Sequence, residues 1–313
     1  MLAAFARAQD AGDPLAGLEV GERPEPDPPA GFEVIEVRAA ALNHHDYWAL
    51  RGTGLDADRL PMILGSDAAG VTADGREVIA HPIVEDPDGS WSLLSERRPG
   101  TLAERVAVPS AGLVDKPAEL SFEEAACLPT AWLTAYRMLF VRAGLRPGQR
   151  VLVQGAGGGV ATAAIVLGRA AGLEVVATSR SEARLERALE LGATHAIPSG
   201  ERVPERVDAV IETVGEATWA HSLRSVREGG RVVVAGATTG ANPPGELQRV
   251  FIRQLDVLGS SMGTLEELRE LVRACVVTGA RPVIDSVRPL SEARDAMARI
   301  AGGEEMGKLV LVP

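Results

Sequence analysis

The segment Ala41–Gly52, which reads ALNHHDYWALRG, gathers side chains of the kinds that bind metals or move protons. It contains His44, His45 and Asp46, and a further histidine, His81, follows later in the chain. Adjacent side chains on a strand or a helix point in diverging directions, whereas two metal ligands on one helix usually stand four residues apart. We therefore favour hydrogen-bonding or proton-transfer chemistry over a metal site for this segment.

A second candidate is the glycine-rich turn in the stretch VLVQGAGGGVATAA. Its glycines follow an apolar strand and precede a helix. In that context glycines let backbone N–H groups approach a pyrophosphate, whose charge is favoured at the helix N-terminus. A tight turn without a ligand is the alternative. The sequence predicts a dinucleotide site whose contacts come from Ala156, Gly157, Gly158, Gly159 and Val160.

The end of the following strand bears on which dinucleotide binds. NAD-selective sites usually place an Asp or Glu about 20 residues past the first glycine, where it binds the ribose 2′-hydroxyl. This chain has Thr178, Ser179 and Arg180 there, and Arg184 follows one helical turn later. A hydroxyl and two guanidinium groups suit a 2′-phosphate. The sequence therefore favours NADPH (NADP+) over NADH.

The elements that carry these residues fall into two regions of different secondary structure, of which the first is rich in predicted strands. Residues Ile35 to Ala39 alternate with period two, and Asp74-Gly75 is a two-residue hairpin signal. The polar segment 85–100 is predicted to be a surface excursion. Ser121 and Glu124 stand at capping-box spacing and predict a helix start.

From Arg150 onward, apolar strands alternate with helical patterns. One such helix is expected from Ser181 to Leu191, capped by Ser181 and ended by Gly192. Pro129, before this region, is expected to break or kink the preceding helix. Continuous apolar strands between helices indicate a parallel sheet covered on both faces.

Composition excludes several classes of function. The chain has 313 residues and a net charge of −11, which argues against nucleic-acid and anionic-membrane partners. Its two cysteines are far apart, as expected in a reducing compartment, and the first residues lack a signal-peptide pattern. The uncharged stretch Val151–Gly168 is long enough to cross a membrane, but its glycines indicate buried structure. We expect a cytoplasmic protein that acts on a small-molecule substrate.

The chain resembles the medium-chain dehydrogenases/reductases, specifically their zinc-independent branch, which is like the quinone oxidoreductases. The motifs that carry the resemblance cover nearly the whole chain and are VRAAALNHHDYWALRG, LPMILGSDAAGV, GTLAERVAVP, LPTAWLTAYRML, VLVQGAGGGVATAAIVLGRAAGLEVVATSRSEAR, LGATHAI, VDAVIETVG and GKLVLVP. It implies an α/β fold with a GroES-like β-barrel catalytic domain (1–118 and 280–313) and a Rossmann doubly wound parallel sheet domain (119–279). It also implies a cofactor in the cleft between them.

The resemblance also bears on the metal. Zinc-dependent relatives carry a cysteine where this chain has Asn43 and a histidine where it has Ser66, so both ligand positions are lost. Their cysteine-rich structural-zinc lobe would fall near residues 85–100, where this chain has no cysteine. The resemblance therefore implies chemistry without a metal.

Several site residues are implied by the resemblance. Asn43 would hold the nicotinamide ribose or a substrate carbonyl, and Tyr47 would supply a hydrogen bond or a proton. Asp46 would orient its neighbours, or would form only a turn or cap contact. For Ser260 a plain strand terminus, and for Lys308 a surface lysine, are equal alternatives. The residues implied to approach the cofactor are Thr130, Thr134, Gly236, Ala237, Ser260 and Lys308.

Two departures from the resembled pattern stand out. Ala161 takes the place of the glycine that usually closes the turn, a change that the dinucleotide fingerprint tolerates. Pro198 stands where NADP-type relatives often carry a tyrosine, which weakens the case for NADPH a little.

The function implied is NADPH-dependent reduction of a quinone or an activated, enone-type double bond. Without zinc, nothing obvious lowers the pKa of an unactivated alcohol, which favours conjugated acceptors. An NADP-dependent alcohol dehydrogenase or carbonyl reductase is one alternative, with a proton relay through His44 or His45. A regulatory protein that binds NADPH without turnover is the other. A homodimer formed by sheet extension is implied by the resemblance alone.

Overall fold

The structure, a computed structural model, describes residues 1–86 and 89–313. Its internal contacts form two compact units. The first comprises Met1–Thr130, Leu268–Val276 and Ile284–Pro313, and the second comprises Ala131–Glu267 and Val277–Val283. Residues 119–130 and 268–276, which the sequence assigned to the Rossmann domain, therefore group with the first unit.

The strands follow one another along the chain as β1 (Leu2–Ala6), β2 (Leu18–Glu22), β3 (Phe32–Ala41), β4 (Met62–Ile63), β5 (Asp67–Thr72), β6 (Glu77–Ala80), β7 (Ile83–Glu85), β8 (Trp91–Leu93), β9 (Arg105–Pro109), β10 (Leu113–Asp115), β11 (Arg150–Val153), β12 (Glu174–Ser179), β13 (His195–Pro198), β14 (Val207–Glu212), β15 (Val226–Val234), β16 (Asp256–Gly259), β17 (Ile284–Pro289) and β18 (Lys308–Val312).

The helices are α1 (His44–Leu50), α2 (Phe122–Ala126), α3 (Leu133–Tyr136), α4 (Gly159–Ala170), α5 (Glu182–Leu191), α6 (Glu216–Ser225), α7 (Leu247–Ile252), α8 (Leu265–Thr278) and α9 (Ala293–Gly302). Two π-helical segments, Leu128–Trp132 and Arg137–Arg142, flank α3. The first of them contains Pro129, so the predicted helix break is confirmed. Ser121 and Glu124 form the predicted capping box before α2, with reciprocal bonds of 3.2 and 2.9 Å.

The first unit is built on a seven-stranded sheet with the order β10-β6-β5-β3-β18-β17, and β9 also pairs with β3. Strand β18 runs antiparallel to β3, with Val310 opposite Ala41. The C-terminal strand thus joins the β-rich part of the chain, as the resemblance implied. This pairing brings the start of β18, at Lys308, beside the segment that follows β3.

The hairpin between β5 and β6 is confirmed, but its loop is longer than the two residues predicted. Thr72 and Arg76 are joined by a bond of 3.0 Å from the Thr72 N–H to the Arg76 carbonyl, which leaves Ala73, Asp74 and Gly75 in the loop. The predicted Asp-Gly pair therefore belongs to a three-residue connection, the next most common hairpin type.

The segment 85–100 is only partly a surface excursion. Strand β8 lies within it and pairs with β7, which ends at Glu85, and Leu94 and Ser95 are fully buried. Pro87 and Asp88 lie outside the described residues. The sequence prediction was wrong for residues 92–95, which are buried although mostly polar residues surround them in the sequence.

The second unit contains a six-stranded parallel sheet with the order β13-β12-β11-β14-β15-β16. Val151, Val176, Val210 and Val232 are fully buried in it, as expected for strands covered on both faces. The predicted parallel sheet is confirmed. Ser181 takes the N-cap position of α5 but forms no side-chain cap bond, so that part of the prediction was wrong.

The uncharged stretch 151–168 divides into β11, the glycine turn and most of α4. None of the described helices combines the length and the hydropathy that a membrane crossing requires. Its apolar residues, among them Val151, Leu152 and Ile165, are buried in the second unit.

Candidate functional site

The first polar site begins where β3 ends and α1 starts. Asn43 is the N-cap residue of α1, and the Asp46 carboxylate accepts its backbone N–H at 2.8 Å. The other carboxylate oxygen of Asp46 accepts the Gly65 N–H at 3.0 Å. Asp46 is fully buried, and this burial raises the pKa of its carboxyl above the usual range. Its geometry is that of a helix cap that ties two backbone segments together.

Asn43, Asp67 and Lys308 form a buried cluster in which a cation is paired and fully hydrogen-bonded. The Lys308 ammonium donates to the Asn43 Oδ1 at 2.6 Å, to the Leu42 carbonyl at 2.6 Å and to the Asp67 Oδ2 at 3.2 Å. The side chain of Lys308 is 2% exposed and that of Asp67 is 0% exposed. The alternative of a surface lysine is therefore wrong for Lys308. Because its ammonium donates to three protein acceptors, one of which is the Asn43 Oδ1, it holds the Asn43 amide in one orientation.

Ser66 and Thr130 extend this cluster. The Asn43 Nδ2 donates to the Asp67 Oδ2 at 2.9 Å and lies 3.4 Å from the Ser66 hydroxyl. That hydroxyl lies 3.2 Å from the Thr130 Oγ1. The Asp67 Oδ1 is buried and has no hydrogen-bond partner among residues 1–86 and 89–313. Thr130 belongs to the π-helical segment before α3, a geometry that is frequent at functional sites.

The two adjacent histidines face different carboxylates. The His44 Nε2 lies 3.3 Å from the Glu305 Oε1, and the His45 Nε2 lies 3.5 Å from the Glu96 Oε1. Their expected divergence is confirmed. Tyr47, on the same helix, is half-buried and packs against the core of the first unit.

A zinc ion does not fit the buried cluster. Zinc prefers thiolate, imidazole and carboxylate ligands, whereas this cluster offers one carboxylate, an amide and hydroxyls. The Lys308 ammonium already bonds to the Asn43 and Asp67 oxygens that a cation would need, and a second cation there would be repelled. Across the described ranges, no three His, Cys, Asp or Glu side chains gather in a possible metal site.

The glycine turn of the second unit lies between β11 and α4. Gly155 has a φ of +79°, which glycine adopts without strain, and α4 begins at Gly159. A Cβ added to Gly157 would lie 2.7 Å from the Cζ of Arg184, so the guanidinium rests directly against the turn. Glycine at position 157 makes this approach possible. The structure thus brings Arg184 to the turn whose amides are predicted to hold the diphosphate.

The end of β12 carries the other residues predicted to bind a 2′-phosphate. Ser179 is the last residue of the strand, and its hydroxyl accepts the Ser181 N–H at 3.1 Å. Arg180 follows with an exposed side chain. Pro198 stands opposite Ser179 in the register of β12 and β13. No carboxylate ends β12.

The remaining predicted residues of the second unit follow strands or lie on α3. Because the sheet is parallel, the carboxyl ends of its strands meet at one edge. Gly236 and Ala237 follow β15, and Ser260 follows β16, so they share the edge with the glycine turn. The Ser260 hydroxyl is buried and, within the described part of the chain, has no hydrogen-bond partner. Thr134 lies on α3 and is nearly buried.

Sequence reasoning missed three buried polar residues. Asp67 stands in the quoted motif LPMILGSDAAGV, and a carboxylate at the start of an otherwise apolar strand could have marked it. Gln154 and Glu212 are the polar residues at the ends of apolar strand patterns, and both are buried. In each case the signal was a polar residue at the boundary of an apolar run.

Comparison with known proteins supports one family for the whole chain. The family described as zinc-binding dehydrogenase matches residues 159–277. A zinc-type alcohol dehydrogenase-like protein of Schizosaccharomyces pombe is 30% identical over 315 residues, which cover 90% of this chain and 90% of that protein.

Two solved structures are similar over almost the full length. An NAD-dependent alcohol dehydrogenase has a TM-score of 0.92 and 33% identity, with 100% of both chains covered. A 2-octenoyl-CoA carboxylase reductase, solved with NADP and 2-octenoyl-CoA, has a TM-score of 0.90 and 26% identity, with 99% of this chain and 87% of that chain covered. The resemblance to the medium-chain dehydrogenases/reductases and the predicted α/β fold class are confirmed. The chain belongs to the medium-chain dehydrogenase/reductase superfamily of oxidoreductases.

Proposed function

We propose that the protein is a zinc-independent, NADPH-dependent oxidoreductase that reduces a quinone or an enone-type double bond. The observation that carries the cofactor assignment is the end of β12, where Ser179 and Arg180 stand instead of a carboxylate. Arg184 adds a guanidinium that lies against the turn. Together they offer a hydroxyl and two cations to a 2′-phosphate in a protein that is otherwise acidic.

The buried cluster of the first unit supports reduction of a conjugated acceptor. NADPH, when bound, supplies the hydride. Lys308 polarises the Asn43 amide by bonding to its Oδ1 at 2.6 Å, which strengthens the Nδ2 as a donor. One Nδ2 proton is directed to Asp67, and the other has only contacts of 3.4 Å, so it is available to a substrate oxygen that gains negative charge. Tyr47 is the proposed proton source.

The charge of Lys308 also supports zinc independence. A buried ammonium bonded to Asn43 and Asp67 provides fixed positive charge without a Lewis acid. Such a group stabilises a developing enolate-type oxygen through Asn43, but it does not activate a simple alcohol as a metal does. The similar reductase that was solved with NADP and an enoyl thioester acts on the same type of activated double bond.

A second candidate is alcohol oxidation or carbonyl reduction. The similar NAD-dependent alcohol dehydrogenase favours it, and so does the pairing of His44 with Glu305 at 3.3 Å. A half-exposed imidazole next to a carboxylate could move a proton between a substrate and solvent. Turnover of a secondary alcohol with NADP+ or NAD+, together with no turnover of enones, would select this function.

We also propose a homodimer. Strand β16 is the last strand of the parallel sheet, and its outer edge pairs with no strand in the described part of the chain. Val257 on this strand is 44% exposed, and α7 exposes Leu247 and Phe251 at 74% and 68%. Unpaired edges with apolar neighbours favour association of chains. Light scattering should give the mass of two chains, and a monomer at micromolar concentration would refute the proposal.

The experiment that tests the function is a matrix of NADPH and NADH oxidation. Quinones, enones, aldehydes and ketones serve as acceptors, and bound zinc is measured in the same sample. We expect NADPH to be oxidised with quinones or enones by protein that contains no stoichiometric zinc. Tight NADPH binding without turnover of any acceptor would refute the enzymatic proposal. One zinc ion per chain that is required for activity would refute zinc independence.

A further inference from the structure

A fully buried carboxylate ends β14 in the second unit. Glu212 is 0% exposed, and its hydrogen-bond partners are amides and hydroxyls. Its Oε1 accepts the N–H groups of Val214 and Gly215 at 2.8 and 3.0 Å and the Thr218 hydroxyl at 2.9 Å. Its Oε2 accepts the Ser222 hydroxyl at 2.6 Å. A buried charge is tolerated when donors surround it in this way.

From Ser222 a chain of hydrogen bonds leads to the glycine turn. The Ser222 hydroxyl accepts the Gln154 Nε2–H at 2.9 Å, and the Gln154 Oε1 accepts the Thr178 hydroxyl at 2.8 Å. The Thr178 Oγ1 in turn accepts the Gly155 N–H at 3.2 Å. Every donor along this path points toward Glu212, so the bonds polarise one another.

His221 fixes the orientation of the Gln154 amide. Its Nε2–H donates to the Glu201 carbonyl at 2.7 Å, so its Nδ1 is the acceptor of the second Gln154 N–H at 2.8 Å. Burial lowers the pKa of His221 below its usual value and keeps the ring neutral. Both protons of the Gln154 amide are therefore used, and the amide has one satisfied orientation.

The other side of Glu212 supports a second loop. The amides of Val214 and Gly215 are held by the carboxylate, and the Val214 carbonyl accepts the Thr239 N–H at 2.8 Å. A Cβ added to Gly215 would lie 2.9 Å from the Cα of Ala237, so the two loops are in close contact. The loop that carries the predicted cofactor contacts Gly236 and Ala237 thus rests on the segment that Glu212 holds.

We propose that Glu212 is a positioning residue that holds the glycine turn and the loop of Gly236 and Ala237 in one geometry for the dinucleotide. The inference rests on the proposed function, since it assumes that a dinucleotide binds at this edge. Because the Gly155 N–H is committed to Thr178, diphosphate recognition falls to the amides from Ala156 onward. The two loops that would contact the dinucleotide are then coupled through the Glu212 carboxylate, which itself contacts no part of the dinucleotide.

The test compares Ser222→Ala with Ser225→Ala. Both remove a buried hydroxyl from α6. Among the described residues, the Ser225 hydroxyl bonds only to the carbonyl and the ring of His221 in the same helix, and it reaches neither Gln154 nor Glu212. We expect S222A to raise the Kd for NADPH about three- to tenfold, because the path loses its link between Gln154 and Glu212, while S225A changes the Kd less than about twofold. Hydrogen exchange of the unliganded protein should become faster at the glycine turn in S222A only.

Glu212→Gln provides a second variant, and S222A decides the question if E212Q does not fold. E212Q should weaken NADPH more than S222A, because it affects both loops. A wild-type protein that binds neither NADPH nor NADH would overturn the proposed function and the inference with it. Nucleotide binding by the wild type, with equal Kd values for S222A and S225A, would overturn the inference alone, and so would faster exchange without a change in Kd.

Discussion

The buried ion pair of Lys308 and Asp67 allows a test of what stabilises the first unit. Lys308→Met keeps an unbranched side chain, shorter by the terminal nitrogen, and removes its charge. It would leave the Asp67 carboxylate at 0% exposure with the Asn43 Nδ2 at 2.9 Å as its remaining donor in the cluster. Removing one partner of a buried ion pair typically costs about 3–5 kcal/mol. We therefore expect K308M to lower the melting temperature by roughly 10 °C.

Thermal and denaturant unfolding measure this effect, and the chain offers a matched control. Its only other lysine, Lys116, pairs with Glu77 at 2.9 Å, but Glu77 is 48% exposed. Because that carboxylate is solvated, loss of the ion pair in Lys116→Met should cost about 1 kcal/mol or less. The variant also loses the bond from the ammonium to the Leu120 carbonyl at 2.8 Å, which makes it a stringent control. A K308M variant that is no less stable than K116M would show that the buried pair is not the source of stability.

A double-mutant cycle separates the ion pair from packing. The double variant K308M with Asp67→Asn removes both charges, so no carboxylate remains buried without its cation. It should be more stable than K308M alone, with a coupling energy of about 1–3 kcal/mol. A coupling energy near zero would refute the reasoning, because the two side chains would then act independently.

Three further predictions follow from the site. Arg180→Ala and Arg184→Ala should weaken the equilibrium binding of NADPH about tenfold or more relative to that of NADH. Arg187, which is exposed and pairs with Glu190 at 2.7 Å, is the control, and its replacement should leave both affinities unchanged. Equal losses of affinity for both nucleotides would refute a phosphate pocket. Asp46→Ala should lower the free energy of unfolding by about 2 kcal/mol or more, because two buried N–H groups lose their acceptor, and an unchanged denaturation midpoint would contradict this. Burial lowers the pKa of His221 in the folded protein from its usual 6.5. The unfolded chain therefore binds more protons below pH 6.5, and the stability should fall as the pH drops from 6.5 through the folded pKa. His221→Asn should remove this part of the pH dependence, and parallel pH–stability curves for the variant and the wild type would contradict the prediction.

Much of the architecture could be predicted from local patterns. The strand β12 and the alternation around Ile35 follow from apolar periodicity, and the capping box at Ser121 follows from spacing alone. The C-terminal strand could be assigned to the β-rich unit only through the resemblance. Its pairing with β3 is a contact between residues more than 260 positions apart, which no local pattern encodes.

The candidate site was predictable in part. The glycine turn and the basic end of β12 are contiguous motifs, so their places between β11 and α4 and after β12 could be predicted from the sequence. The Lys308–Asp67 pair and the path from Glu212 to Gly155 join residues from different strands, and their members look ordinary in isolation. Ser181 shows the opposite failure, because a favourable cap residue stands at the right position without making the bond.

The scarcity of lysines provides a way to follow the opening of the first unit. The chain has thirty arginines but only two lysines, and the side chains of Lys116 and Lys308 are 5% and 2% exposed. Acylating reagents should therefore find almost no lysine amine on the folded protein, and both target amines belong to the same unit. Time-resolved labelling followed by mass spectrometry would then record how often that unit opens. The second unit has no lysine and would not be labelled.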